Sequence, residues 1–314
     1  MDLITVIITF LNEEENLVKF CDFLDSLSVN KNYAIEAIFV DDGSTDRSVD
    51  IINGFDFQHC VTVKIIKLTK NFGSHAAARA AICEARGDYC VFLGADFQEP
   101  ADMIDAMYNK IIHGYHMVCV EKGHVEVSMF NKATSAVYTY LMKKFAVSNY
   151  GSGAVNNIMF DRKVIDFLNE NIEINSSLNL QIINASFKSK TIQMDYNRRN
   201  AGHSKWTFKK KQKLFIDSFV SFSYMPLHMV TALGIIMAII GIIWGIFIVI
   251  ARLTSSTPPV SGYATLAALL LFGFGATNIS LGILAAYLWR TFDVARKRPA
   301  FIVDEIIEHK KNND

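Results

Sequence analysis

Three segments of this chain carry side chains able to hold a phosphorylated, cation-bound ligand. Asp41-Asp42-Gly43-Ser44-Thr45-Asp46 sets adjacent carboxylates directly after the apolar run Ile35–Val40. Such carboxylates can accept hydrogen bonds from nucleobase N–H groups and ribose hydroxyls. They equally suit a helix N-terminus, where acids answer the positive end of the helix dipole. Asp96-Phe97-Gln98 follows the run Tyr89–Leu93 and offers two hard oxygen donors. Mg²⁺ takes one or two carboxylates together with substrate phosphates, although the same residues could form a capping turn ahead of a helix that Pro100 opens. Arg198-Arg199-Asn200-Ala201-Gly202-His203-Ser204-Lys205-Trp206 is a basic loop containing a glycine. Its Arg and Lys suit phosphate, and Ser204 adds a hydrogen bond; the alternative is a basic anchor beside a membrane with no ligand. Gly151-Ser152-Gly153 lacks the third glycine and the strand-turn-helix setting of a dinucleotide loop.

The elements that must position these residues follow from periodicity. Leu3–Phe10 is a continuous apolar, β-branched run, as in a strand buried on both faces. Ile35–Val40, Val61–Leu68, Tyr89–Leu93 and Met117–Val120 read as further strands, with an Ala-rich helix at about 74–86. Ser44 or Thr45 could cap a helix after the second strand. The alternation predicts an α/β fold with an open, mostly parallel sheet and helices on both faces. In such sheets ligands bind beyond the carboxyl ends of the strands, which singles out Asn12, Glu13, Asp41, Asp42, Lys70, Asn71, Asp96 and Gln98. A helix over 129–145, a strand near 155–160, a helix from Asp161 and a late strand around Ile192–Tyr196 complete the pattern.

Composition narrows the class. The 31 basic and 31 acidic residues cancel, which argues against nucleic-acid binding through global positive charge. Mean hydropathy is +0.22, and the excess lies near the C-terminal end. Ser218–Ala251 and Leu253–Trp289 contain no Asp, Glu, Lys or Arg, and each exceeds the roughly 20 residues that cross a bilayer. Two transmembrane helices are expected at about 226–251 and 263–289, preceded by an amphipathic interfacial helix over 207–225. Lys205, Lys209, Lys210, Lys211 and Lys213 precede the spans and Arg290, Arg296, Lys297 and Arg298 follow them. That flank charge predicts both termini, and the domain of residues 1–206, on the cytoplasmic side of the membrane. Residues 290–314 are expected to form a cytoplasmic tail. The five cysteines show no Cys-x-x-Cys spacing and read as reduced, mostly buried thiols.

Taken in order, these segments resemble the family 2 glycosyltransferases, in particular polyprenyl-phosphate glycosyltransferases related to dolichyl-phosphate mannose synthase and bactoprenol glucosyltransferase. The resemblance spans nearly the whole chain. Val6-Ile7-Ile8-Thr9-Phe10-Leu11-Asn12-Glu13-Glu14 looks like the donor loop, Asp41–Asp46 like the nucleotide-binding stretch, and Asn71-Phe72-Gly73 like the Asn-x-Gly before the Ala-rich helix. Arg199, Gly202, Ser204 and Lys205 match the phosphate-contacting loop. Ser221-Phe222-Ser223, Pro226-Leu227, Tyr287, Arg290, Arg298-Pro299 and Ile302-Val303 match the membrane entry and the tail. The chain departs from the pattern at Thr9 (usually Pro), Leu11 (usually Tyr), Gly94 (usually Asp) and Asn156-Asn157 (often Asp and an aromatic).

The resemblance implies a GT-A fold, an inverting transfer, Mg²⁺ or Mn²⁺, and often a homo-oligomer such as a tetramer. On that basis Thr9, Asn12, Glu13, Asp41, Asp42, Asn71 and Asp96 are expected to face a nucleotide-sugar donor, and Asp96 with Gln98 to hold the metal. Lys132, Arg199, Ser204 and Lys205 are expected at the acceptor or donor phosphate, with Asp96, Arg199 and Lys205 closest to the chemistry. The acceptor expected is a polyprenyl phosphate of undecaprenyl or dolichyl type. A phosphate monoester has a second pKa near about 6, so it is largely dianionic at neutral pH and is already a nucleophile. A sugar hydroxyl would need a base, and position 156 offers none. Two alternatives stand beside this reading: transfer to a hydroxyl of a glycolipid or glycan, and a catalytically weakened nucleotide-sugar-binding membrane subunit.

Overall fold

The structure, a computed structural model, describes residues 1–29, 31–95, 98–123, 136, 139–140, 143–144, 155–172, 177–196, 225–254, 262–296 and 298–310. The chain divides into two units, Met1–Ser218 with Pro299–Asp314, and Phe219–Arg298.

The first unit is built on one mixed sheet. Its strands are β1 (Asp2–Phe10), β2 (Tyr33–Asp41), β3 (Thr62–Leu68), β4 (Tyr89–Leu93), β5 (Met117–Lys122), β6 (Val155–Asp161), β7 (Ser189–Met194) and β8 (Val303–Lys310). Their order across the sheet is β7-β5-β6-β4-β1-β2-β3-β8. The pairs β1–β2, β1–β4, β2–β3 and β5–β7 are parallel, and β4–β6, β5–β6 and β3–β8 antiparallel. The helices are α1 (Glu14–Leu27), α2 (Ser48–Asn53), α3 (Ser74–Glu84), α4 (Met103–Ile111), α5 (Arg162–Glu170) and α6 (Leu178–Asn184).

Strand β1 shows why the run Leu3–Phe10 has no polar alternation. Ile4, Val6, Ile8 and Phe10 join Leu17, Phe20 and Leu24 of α1, Ile52 of α2 and Met103, Ile104, Met107 and Ile111 of α4 in one core. Thr5 and Ile7, equally buried, face the other layer, where α3 lies against β1 and β2. Small residues Ala77, Ala80 and Ala81 let α3 approach closely and are themselves buried. The strands of this parallel core therefore bury both faces. That second layer also buries charge: Glu36 accepts from the Thr5 hydroxyl (2.6 Å) and the Arg86 N–H (2.9 Å), while Lys64 lies 3.7 Å from Glu36 and donates to the Glu84 carbonyl (2.7 Å).

Two expectations differ from what is found. Residues 303–310 are not a tail segment but the strand β8, paired antiparallel with β3 from Thr62–Lys310 to Leu68–Val303. It covers backbone groups along an edge that β3 would otherwise present. Its acidic residues meet Lys67 of β3 and Arg86 of the connection between α3 and β4, Lys67 with Glu305 at 3.2 Å and Arg86 with Glu308 at 2.6 Å. Second, neither Ser44 nor Thr45 caps a helix, because α2 starts only at Ser48; both instead bind Asn12.

The second unit contains α7 (Met225–Thr254, 30 residues) and α8 (Tyr263–Ala295, 33 residues). Leu227–Phe247 and Phe272–Trp289 are long and apolar enough to cross a membrane, with mean hydropathies of 2.5 and 1.3. Ile236, Ile240, Ile243, Phe272, Leu284 and Trp289 point outward. The interfacial helix expected over 207–225 lies, up to residue 224, outside the described residues. Of the helix expected over 129–145 only Ala136, Thr139, Tyr140, Lys143 and Lys144 are described, all helical.

Candidate active site

Of the polar residues singled out by sequence, the described ones, Asn12, Glu13, Asp41, Asp42, Lys70, Asn71 and Gln98, lie at or just after the carboxyl ends of β1, β2, β3 and β4. After β1 the chain turns at Asn12, whose φ of 51° lies in the left-handed region that Asn tolerates better than most residues. The Asn12 N–H donates to Ser44 Oγ at 2.9 Å, and Asn12 Oδ1 accepts the Thr45 N–H at 2.8 Å. The loops after β1 and β2 are thus stitched together. Ser48 Oγ accepts the Glu13 N–H (3.0 Å), and Asp46 accepts the N–H groups of Glu14 (3.2 Å) and Ser48 (3.0 Å). Partial burial works against the Asp46 charge, but the bonds from Ser48 and the backbone N–H groups outweigh it and hold this carboxyl below its ordinary pKa.

The two adjacent carboxylates have different surroundings, though both are buried. Asp41 Oδ1 accepts the Ser44 N–H at 2.8 Å, closing a tight turn. Asp42 reaches across to the loop after β3, where Oδ1 accepts the Phe72 N–H at 2.7 Å and Oδ2 the Gly73 N–H at 3.0 Å. Burial raises the pKa of Asp42, these two N–H groups oppose the rise, and neighbouring Asp41 adds to it. Directly after them Gly43 has φ +82°, and a Cβ there would stand 2.8 Å from Asn71 N. Only glycine allows the loop after β2 to lie this close to the loop after β3. Gly73, with φ +93°, then opens α3. Asn71 is exposed, and Lys70 Nζ sits 5.2 Å from the centre of the Phe72 ring. Thr9, half-buried, pairs with Val40 in the ladder one step before these turns.

The loop after β4 has its own fastening. Glu99 Oε1 accepts the Gly94 N–H at 3.1 Å and Asn157 Nδ2 at 3.3 Å. Asn157 Nδ2 also donates to the Phe92 carbonyl at 2.6 Å, and Asn157 Oδ1 accepts the Tyr196 hydroxyl at 2.9 Å. Burial, then the charge of Glu99, raise the Tyr196 pKa. Gln98 is half-buried beside this cluster. Asp96, Lys132, Arg199, Ser204 and Lys205 lie outside the described residues, as does Phe97.

The structure therefore brings Thr9, Asn12, Glu13, Asp41, Asp42, Asn71 and Gln98 to one rim. It also gives Asn12, Asp41 and Asp42 intramolecular work that sequence reading did not foresee. Glu99, Asn157 and Tyr196 were not singled out as site residues. Their partners lie 58 and 39 positions apart in the chain, and no local spacing signals them. Among the described residues no group of three or more His, Cys, Asp or Glu could hold a metal ion. The donor set fits a hard cation only in part: Gln98 would supply an amide oxygen, and a carboxylate at 96 with substrate phosphates would have to complete it.

Comparison with known proteins adds an independent finding. Residues 5–168 match the profile described as Glycosyl transferase family 2. The chain is 27% identical over 314 residues to an undecaprenyl-phosphate 4-deoxy-4-formamido-L-arabinose transferase of Photorhabdus laumondii, covering 99% of this chain and 96% of the relative. It is 29% identical to the uncharacterized glycosyltransferase YkcC of Bacillus subtilis, covering 98% and 95%. Among solved structures, residues 1–349 of Staphylococcus aureus TarS align with TM-score 0.46 at 16% identity, covering 72% of this chain and 73% of that one. A mannosyltransferase of Pyrobaculum calidifontis, in complex with GDP-Man and Mn²⁺, aligns with TM-score 0.45 at 15% identity, covering 92% and 87%.

Proposed function

The chain belongs to glycosyl transferase family 2, and from that premise we propose that it transfers a sugar, with inversion, from a nucleotide-sugar to a polyprenyl phosphate at the cytoplasmic face of a bacterial inner membrane. One observation carries the acceptor. Similarity to a transferase named for undecaprenyl phosphate runs through 99% of this chain, so it includes the two long apolar helices as well as the sheet. A lipid acceptor accounts for both parts of the molecule, and a soluble acceptor would leave α7 and α8 without a role.

The residues divide the work as follows. Asn12, Asp41, Asp42 and Gly43 hold the loops after β1, β2 and β3 as one preformed rim for the nucleotide, with Thr9, Glu13 and Asn71 beside it. Asp96 and Gln98 would hold Mg²⁺ or Mn²⁺. Such an ion, when bound, stabilises charge on a departing diphosphate. Arg199, Ser204 and Lys205, with Lys132, would hold phosphate. A phosphate acceptor needs no strong base, which agrees with Asn at positions 156 and 157. The protein is proposed to act as a homo-oligomer.

The test is incubation of the purified protein with polyprenyl phosphate, Mg²⁺ or Mn²⁺, and a panel of radiolabelled nucleotide-sugars. Label is expected in the lipid phase with one donor, and Asp96→Ala is expected to abolish it while leaving the fold intact. Arg199→Ala and Lys205→Ala each remove a charge-assisted contact worth about 1.5–3 kcal/mol, equivalent to roughly one to two decades in rate. Asn156→Ala should be mild. If polyprenol serves as well as its phosphate and Asn156→Ala is the most damaging change, a hydroxyl acceptor is the better reading.

A further inference from the structure

The antiparallel ladder between β4 and β6 pairs Tyr89 with Asp161, Cys90 with Phe160 and Val91 with Met159. Toward the site, side chains take over its backbone bonding. The Phe92 carbonyl accepts from Asn157 Nδ2 at 2.6 Å, and the Gly94 N–H donates to Glu99 Oε1 at 3.1 Å. Buried backbone groups must find partners, and here Asn157 and Glu99 supply them at the point where β4 becomes the loop of the candidate metal ligands. Gly94 has no side chain of its own, and the carboxylate at its N–H belongs to Glu99, five residues on.

Asn157 is the hub. It is 4% exposed, and its amide is committed in both directions. Nδ2 donates to Phe92 O and to Glu99 Oε1, while Oδ1 accepts from Tyr196 Oη. A flipped amide would aim an oxygen at a carbonyl and a carboxylate, so the network itself sets the orientation. Glu99 joins the two ends of segment 94–99, which includes positions 96 and 98. Tyr196 closes the other side, immediately before the segment that leads into the basic loop 198–206. Three buried or half-buried polar groups in an otherwise apolar layer, beside Met103, Val120 and Met159, are costly unless fully paired.

We propose that Glu99, Asn157 and Tyr196 are positioning residues that anchor the end of β4 at Phe92 and Gly94 to Glu99, so fixing both ends of the stretch that carries positions 96 and 98, and that fasten this anchor to the chain entering the basic loop. This rests on the reading of Asp96 and Gln98 as the metal-holding pair. The trio is assigned no contact with ion or substrate and acts through the anchoring of the loop's two ends.

The experiment follows Mn²⁺ alone and Mn²⁺ with UDP or GDP, using the EPR signal of free aqua-Mn²⁺ on the full-length protein, alongside thermal unfolding and transfer kinetics. Tyr196→Phe keeps the ring and removes one hydrogen bond of about 1 kcal/mol, so Mn²⁺ affinity should fall about fivefold. Asn157→Asp sets a carboxylate against Glu99 and the Phe92 carbonyl and should weaken Mn²⁺ by at least about tenfold. Glu99→Ala should do the same, and Glu99→Gln, which keeps an acceptor oxygen for the Gly94 N–H, should recover most of that loss. In each variant transfer at saturating Mn²⁺ should stay nearer the parent rate than transfer at low Mn²⁺. If these variants lower the unfolding temperature with Mn²⁺ affinity unchanged, while Asp96→Ala abolishes binding, the network serves the fold alone and the proposal is overturned. If Asp96→Ala binds Mn²⁺ as the parent does, or the parent transfers in excess EDTA, the metal reading fails and takes the proposal with it.

Discussion

At the scale of single residues, the site shows acids and amides engaged with backbone N–H groups, a function distinct from contacting ligand. Asn12 illustrates the cost of replacing one. Its left-handed φ of 51° and its bond to the Thr45 N–H are both lost to alanine, for a combined destabilisation of about 1–3 kcal/mol. Glycine would restore the conformation but not the bond. Urea unfolding should therefore rank parent above Asn12→Gly above Asn12→Ala; an alanine variant as stable as the parent removes Asn12 from this role. Asp42 yields a pH prediction. Burial raises its folded pKa above that of the unfolded chain, so its contribution to stability is fully present below the ordinary aspartate value of about 3.9 and is lost as pH rises through the raised value. Asp42→Asn carries no such penalty. Relative to the parent, the variant should gain stability across that interval and level off above it, superimposed on a constant offset from the amide nitrogen beside Gly73. Urea titrations from acid to neutral pH check the slope, and a flat difference would contradict the assigned shift.

At the scale of elements, β8 is the informative case. Its residues Val303-Asp304-Glu305-Ile306-Ile307-Glu308-His309-Lys310 contain enough charge to read as a solvated tail. The strand forms because β3 offers an unpaired edge and because Ile307 can pack on the sheet core. Backbone pairing along seven positions matters more than the ion pairs, which are half-exposed and worth at most about 1 kcal/mol each. Removing 299–314 should therefore lower the unfolding temperature and promote association through the bared β3 edge. Glu305→Ala with Glu308→Ala should change stability little. Size-exclusion chromatography and thermal unfolding of the two variants distinguish strand from salt bridge, and equal effects would count against edge protection.

At the scale of the whole molecule, connectivity constrains topology. β8 follows α8 in the chain yet joins the sheet of β1–β7, so segments before and after the two apolar helices end in one structure. If both helices cross the bilayer, the chain must return to the side it left, in agreement with the basic flanks at 205–213 and 290–298. Cysteine placed at Ser256 should accordingly react with an impermeant reagent in intact cells, and cysteine placed at Asn312 should not. The reverse pattern would overturn the orientation.

What the sequence settled by itself is what local periodicity encodes. Continuous apolar runs identified the buried strands β1 to β5, the alanine run identified α3, and the long charge-free stretches identified α7 and α8. Hydrophobic pattern is a short-range property, readable within one element. The ordered motifs went further and placed the chain in its family, because motif order along a chain survives without any knowledge of contacts. Only the tertiary structure could decide which partners those motifs meet. Asp42 is bound 30 positions downstream, Asn157 bridges to β4 65 positions upstream, and Lys67 meets Glu305 across 238. Such pairings are created by chain crossing, by glycine clearances such as that of Gly43 over Asn71, and by the need of buried polar groups for partners. None of these leaves a mark at fixed spacing, so candidate binding residues could be named from the sequence and the residues that hold those loops in place could not.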